Sequence, residues 1–204
     1  MYLEVSKPVL AYLPSRAKWH FGRGLAYQQG GKLYEAIAEY QEAIRLKPDF
    51  DMALRDLASA LSMQGKYIEA LVPARTMVRL RPDSAVAHLV LGRQLINAGL
   101  TDDGINHLTK AVNLEPNNFY AHLSLAVALA KERKFDEATL HFKQARRLQP
   151  DNPVVHKMLA KTLAVQGRRE EAKEALREAL RLKAADIEAM RLLDALMKGQ
   201  DIQD

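Results

Sequence analysis

"RLKPDF" occupies residues 45–50, and versions of it return as RLRPDS at 79–84, NLEPNN at 113–118 and RLQPDN at 147–152. A worn copy, RLKAAD, stands at 181–186. Each copy begins 34 residues after the last, and a fixed internal period overrides any domain count drawn from 204 residues alone. Every copy joins a stop to a start. Pro48, Pro82, Pro116 and Pro150 end a helix, because proline cannot continue the backbone hydrogen bonds. Asp49, Asp83, Asn117 and Asp151 follow at once, and each is expected to cap the helix after it.

Working outward, the period divides the chain into units at 17–50, 51–84, 85–118, 119–152 and 153–186. Residues 1–16 and 187–204 are left as ends. Two columns stay small in every unit: Gly24, Ala58, Gly92, Ala126, Ala160, and Ala36, Ala70, Gly104, Ala138, Ala172. Large apolar residues such as Tyr27, Leu61, Leu95, Leu129 and Leu163 fall between them. Apolar residues recur at three- and four-residue steps, so each unit predicts two amphipathic helices whose backbones approach closely at the small positions. Gly31, Gly65, Gly99 and Gly167 sit where the first helix of a pair needs a left-handed residue to turn, and Arg133 takes that place in the fourth unit.

These columns resemble the tetratricopeptide repeat, a 34-residue helix–turn–helix. The first unit carries the pattern as Gly24 and Tyr27, then Ala36, Tyr40, Ala43 and Pro48. The resemblance covers residues 17–186. It implies an all-α fold, a right-handed α-solenoid (superhelix) of antiparallel helix pairs, with a concave face lined by the first helix of each pair.

At the ends, VLAYLP (9–14) aligns with AIRLKP (43–48), which predicts the second helix of a truncated repeat, as in a segment of a longer solenoid. Trp19 is expected to pack against it. DIEAMRLLDALMK (186–198) predicts one helix that covers the last unit through Met190, Leu193 and Met197. The second unit exchanges sizes, Ala74 then Met77, beside Pro73, which should cost about 3 kcal/mol in a helix interior and predicts a kink there.

Composition narrows function by exclusion. There is no cysteine, hence no disulfide and no thiolate metal site. No apolar run is long enough to span a membrane, and Glu4, Lys7 and Pro8 interrupt what a signal peptide would need, so the chain reads as cytoplasmic. His20, His88, His122 and His156 share a column, and His107 and His141 share another. Equivalent residues on stacked helices stand roughly 8–10 Å apart, too far for shared chelation, so the histidines read as packing residues and no metal or cofactor is expected. The acidic pairs Asp102–Asp103, Asp136–Glu137 and Glu170–Glu171 open second helices, where they suit the helix dipole. No catalytic motif is present, and the chain does not read as an enzyme.

What remains is the face of the first helices. Lys18, Phe21, Gln28, Arg55, Ser59, Leu89, Arg93, Asn97, Tyr120, Leu123, Lys131, Lys157 and Lys161 are the candidate partner-binding residues. The mixture of apolar steps and cations suits a protein or peptide partner with apolar and acidic side chains. Leu25 and Asp56 stand where the family's chaperone-tail carboxylate clamps carry asparagine, so that specialisation is not expected. The asparagine ladder of its sugar transferases is replaced by Gly22, Asp56, Val90, Ser124 and Met158. The net charge of +5 is modest; the basic face of the first helices permits RNA, but Val86, Leu89, Val127 and Val154 offer nothing to read a base, which argues against nucleic acid. The terminal helices are the place where self-association into a homo-oligomer would occur.

Overall fold

A computed structural model of the chain describes the backbone of residues 7–200 and the side chains of residues 15–200. The described residues form eleven helices and no strand, so the fold class is all-α. After α1 (Lys7–Gln29) come α2 (Leu33–Leu46), α3 (Asp51–Met63), α4 (Tyr67–Leu80), α5 (Ala85–Asn97) and α6 (Thr101–Leu114). They are followed by α7 (Phe119–Lys131), α8 (Phe135–Leu148), α9 (Pro153–Val165), α10 (Arg169–Leu182) and α11 (Ile187–Met197). The odd-numbered helices from α3 onward begin at 51, 85, 119, 153 and 187, which is the sequence period written in backbone.

Two compact units divide the chain, Met1–Gly104 and Ile105–Asp204. In the first, α1 packs on α2, α2 on α3, α3 on α4 and α4 on α5. In the second, α7 packs on α8, α8 on α9, α9 on α10 and α10 on α11.

The small columns are small because something fills the space beside them. A Cβ on Gly24 would lie 2.5 Å from a Tyr40 ring carbon, inside any tolerable contact. Gly104 is equally confined, 2.6 Å from the Ile96 side chain. Ala36, Ala58, Ala70, Ala126, Ala138, Ala160 and Ala172 are fully buried, and Tyr40 and Phe142 fill the grooves beside them.

The turns follow the expected chemistry with one exception and one displacement. Gly31, Gly65, Gly99 and Gly167 take φ of 73–81°, and Arg133 takes 59° at the same point. A side chain in that left-handed region costs about 1 kcal/mol. The displacement concerns capping. Side-chain caps come one residue later than expected, from Ser84, Asn118, Asn152 and Asp186 rather than from Asp83, Asn117 or Asp151. The proline and the residue after it are both consumed by the turn, so the third position reaches the free amides. Phe50 holds that position before α3 and supplies no cap. Its ring sits 5.0 Å from that of Phe21 instead.

Three other expectations are corrected. α1 runs unbroken through Pro14, so residues 9–14 are not a separate helix closed by a turn; residues 1–6 lie outside the described residues. The strong stop elsewhere is proline followed by Asp or Asn, and Ser15 follows here. Trp19 consequently has no half-repeat to pack on: it is 57% exposed, with the Arg23 guanidinium 4.6 Å above its ring. Pro73, where a kink is expected, is buried inside α4 and does not end that helix, which has the 14-residue length of α2, α8 and α10. The exchanged residues Ala74 and Met77 are both buried in one cluster with Leu71, so the volume is conserved as the sequence implied. Finally, α11 buries Ala189 and Leu196, not the Met190–Leu193–Met197 face, and leaves Met190 and Met197 exposed. Ala189 and Leu196 occupy the columns of Val155 and Thr162, which are likewise buried on α9.

Gly24→Ala is therefore expected to destabilise the chain although alanine favours helix. The steric conflict with Tyr40 should cost about 1–3 kcal/mol, outweighing roughly 1 kcal/mol of helix propensity. Thermal unfolding followed by circular dichroism checks the sign.

Candidate functional site

The first helices position the candidate residues, and burial sorts them. Lys18, Arg55, Arg93, Asn97, Tyr120 and Lys131 are exposed. Ser59, Leu123 and Lys161 are partly so. Phe21 and Leu89 are not available: they are 7% and 8% exposed. Phe21 packs between the rings of Tyr40 and Phe50. Gln28 is committed as well, since its Oε1 accepts the Tyr40 hydroxyl at 2.7 Å. Burial pushes that phenol up to about 12, so it remains a donor across the accessible range.

Charge sorts the cations further. The Arg55 Nε donates to Asp56 at 2.9 Å. Lys157 is 13% exposed and held from both sides, 2.8 Å from Glu188 and 3.0 Å from Asp186. Its pKa is raised, first by the hydrogen bond to Glu188, and the Glu188 carboxyl is lowered by the same bond. Lys161 reaches Glu188 more loosely, at 3.4 Å. Asp186 does double duty, since its Oδ1 also accepts the Ala189 amide at 3.0 Å to cap α11. Of the six cations, Lys18, Arg93 and Lys131 have no ion-pair partner among the described residues. The acids that neutralise Lys157 and Lys161 come from the cap and first turn of α11, which sequence reading treated only as a cover. The signal was present, because Asp186 and Glu188 lie one period after Asn152 and Val154.

Sequence reading also missed an apolar cavity in the second unit. Its volume is about 520 Å³, and Val127, Phe142, Met158 and Val165 line it beside Lys131 and Lys161.

The histidine columns interact across, not along, the columns. Nε2 of His88, His122 and His156 donates to the carbonyls of Pro82, Pro116 and Pro150 at 2.9, 2.9 and 2.7 Å. Each bond satisfies an acceptor in the turn that follows a second helix and fixes the tautomer. The other nitrogen depends on the second column. His20 Nδ1 meets Glu39 at 2.7 Å, and His122 Nδ1 meets His141 Nδ1 at 3.0 Å. His156 faces the column of Ala175, and its buried Nδ1 finds no partner. No group of three or more metal-ligating side chains occurs among the described residues. No described helix is long and apolar enough to cross a membrane.

Three family profiles match the chain. Two described as "Tetratricopeptide repeat" cover residues 129–196 and 89–153, and one described as "TPR repeat" covers 24–65. A search of curated proteins found no match. Among solved structures, the chain is similar to PilF of Pseudomonas aeruginosa, at 18% identity over 92% of this chain and 85% of that one, with a TM-score of 0.80. TTC0263, a thermophilic TPR protein of Thermus thermophilus, shares 23% identity over 89% of this chain and 99% of that one, TM-score 0.73. YrrB, described as a TPR protein with an unusual peptide-binding site, shares 22% over 84% and 89%, TM-score 0.64. These likenesses establish a shared helix-pair fold.

The His122–His141 contact gives a pH dependence whose sign is fixed. One proton can sit between the two Nδ1 atoms, but both rings cannot be charged at 3.0 Å. Burial, then the neighbouring His122, lowers the His141 pKa below 6.5, against a smaller opposing pull from Glu137. Below that pH the unfolded chain binds more protons than the folded one, so stability is full above 6.5 and falls as the pH drops. The melting temperature of the wild type should fall more between pH 7.5 and 5.5 than that of His141→Gln.

Proposed function

We propose that this chain, which belongs to the tetratricopeptide repeat family, is a non-enzymatic scaffold that holds a partner polypeptide against its first helices. One observation carries the reading. The second position of those helices is exposed and apolar four times in succession, from α3 to α9: Met52 (48%), Val86 (41%), Tyr120 (60%) and Val154 (46%). Arg93 follows Val86 on α5, and Lys131 follows Tyr120 on α7, both exposed and without an ion-pair partner among the described residues. Each unit therefore presents its own strip of apolar side chains beside an uncompensated cation. Burial of a partner's apolar residues supplies affinity, and the cations set register and speed the encounter. The unusual peptide-binding site named for YrrB is consistent with polypeptide recognition on this fold.

A second reading, self-association through the last helix, is favoured by the exposure of Ile187 (62%), Met190 (44%) and Met197 (66%) on α11. Such a cluster at the end of a repeat array invites a second copy. If it operates, replacing Ile187 and Met190 by Glu should reduce the mass seen by light scattering to that of a monomer.

Capture from a native lysate, treated with nuclease, tests the first reading with the wild type, Arg93→Glu and Lys131→Glu as baits. Reversing a rim charge should weaken capture of a specific partner by roughly fivefold and flatten its salt dependence, with helicity unchanged. Equal capture by all three would remove the first-helix faces as the site, and capture abolished by nuclease would point to RNA instead.

A further inference from the structure

The cavity of the second unit lies between the C-terminal halves of α7 and α9, over Phe142 of α8. Its volume of about 520 Å³ falls within the few hundred to a thousand Å³ usual for a ligand pocket. Three cations, Lys131, Arg133 and Lys161, stand on a lining whose other members, Thr162 apart, are apolar. A mouth of positive charge over an apolar floor fits a ligand built the opposite way.

Arg133 makes the cavity more than an accident of packing. The same turn is made by glycine at 31, 65, 99 and 167, with φ of 73–81°. At φ 59° Arg133 takes the conformation that glycine adopts without strain, so the turn itself does not call for a side chain. The strained residue places a guanidinium 5.5 Å from the centre of the Phe135 ring, at the cavity. Backbone strain retained where an unstrained residue serves elsewhere is a mark of function. Lys131 has no ion-pair partner among the described residues, and Lys161 shares Glu188 with the more tightly held Lys157.

We propose that the cavity takes a large apolar side chain, aromatic or leucine-sized, of a partner polypeptide, with an adjacent carboxylate set against Lys131 and Arg133. The inference rests on the first-helix reading above and names the chemistry of the residue bound there. The carboxylate is that of an acidic side chain next to the apolar one.

The test uses the full chain with ¹³C-methyl methionine, because Met158 lines the cavity while Met52 and Met77 report on the first unit. Four synthetic peptides are titrated: Ac-SGDFDGS-amide, Ac-SGKFKGS-amide, Ac-SGDSDGS-amide, and Ac-SGSGSF with a free terminus. The Met158 methyl should shift saturably with the first; a shift with the fourth alone would assign the cavity to a chain terminus and overturn the proposal. The lysine peptide should bind at least about fivefold more weakly, the scale of an exposed charge pair, and the serine peptide at least about fivefold more weakly for loss of its apolar side chain. Arg133→Gly should weaken the acidic peptide by about threefold while raising the melting temperature, so the loss is not one of folding. Equal binding of the lysine peptide, or an Arg133→Gly variant that binds as well as the wild type, overturns the proposal. Shifts at Met52 with Met158 silent also overturn it, yet leave the first-helix reading intact. Silence at every methionine, together with lysate capture indifferent to Arg93→Glu and Lys131→Glu, removes both.

Discussion

Two helices can pack with their backbones close only where one of them gives up its side chain, and this structure is organised around that limit. Gly24 leaves room for the Tyr40 ring, and Gly104 leaves room for Ile96. The fully buried alanines make the same concession at equivalent positions along the chain. Once these contacts are fixed, the large residues have only the remaining grooves to fill, and the turn at the end of each pair must begin at a set distance. A 34-residue period is the outcome of that geometry, repeated.

The fold was legible for this reason. Steric columns depend on residue size alone, and size is written in the sequence. The left-handed position at 133 could likewise be read from its register with four glycines. Expectations failed where a residue's role depended on its neighbour in space. Capping shifted by one residue because the turn took two positions, which the Pro–Asp pair does not announce. Pro14 and Pro48 occupy equivalent positions, yet α1 passes through one and α2 ends before the other.

The candidate site was less legible than the fold. Helical periodicity assigned the first-helix faces, and Arg93, Tyr120 and Lys131 are exposed there. It could not distinguish Phe21, which belongs to an aromatic cluster, from Tyr120, which stands in solvent. Nor could counting charges reveal which cations were already spoken for. That depended on carboxylates 29 and 27 residues away, from Lys157 to Asp186 and from Lys161 to Glu188. The histidine ladder shows the same limit: its pairs lie 19 residues apart, joining two columns that look independent when read one at a time.

Asp186 binds two parts of the molecule with one carboxylate, the first turn of α11 and the ammonium of Lys157. The last helix thus acts as a latch on the electrostatics of its neighbour. While it stays wound, α9 offers little naked charge. Fraying of that terminal turn would release two lysines together, so the surface potential of this end of the chain is set by how firmly its final helix is closed.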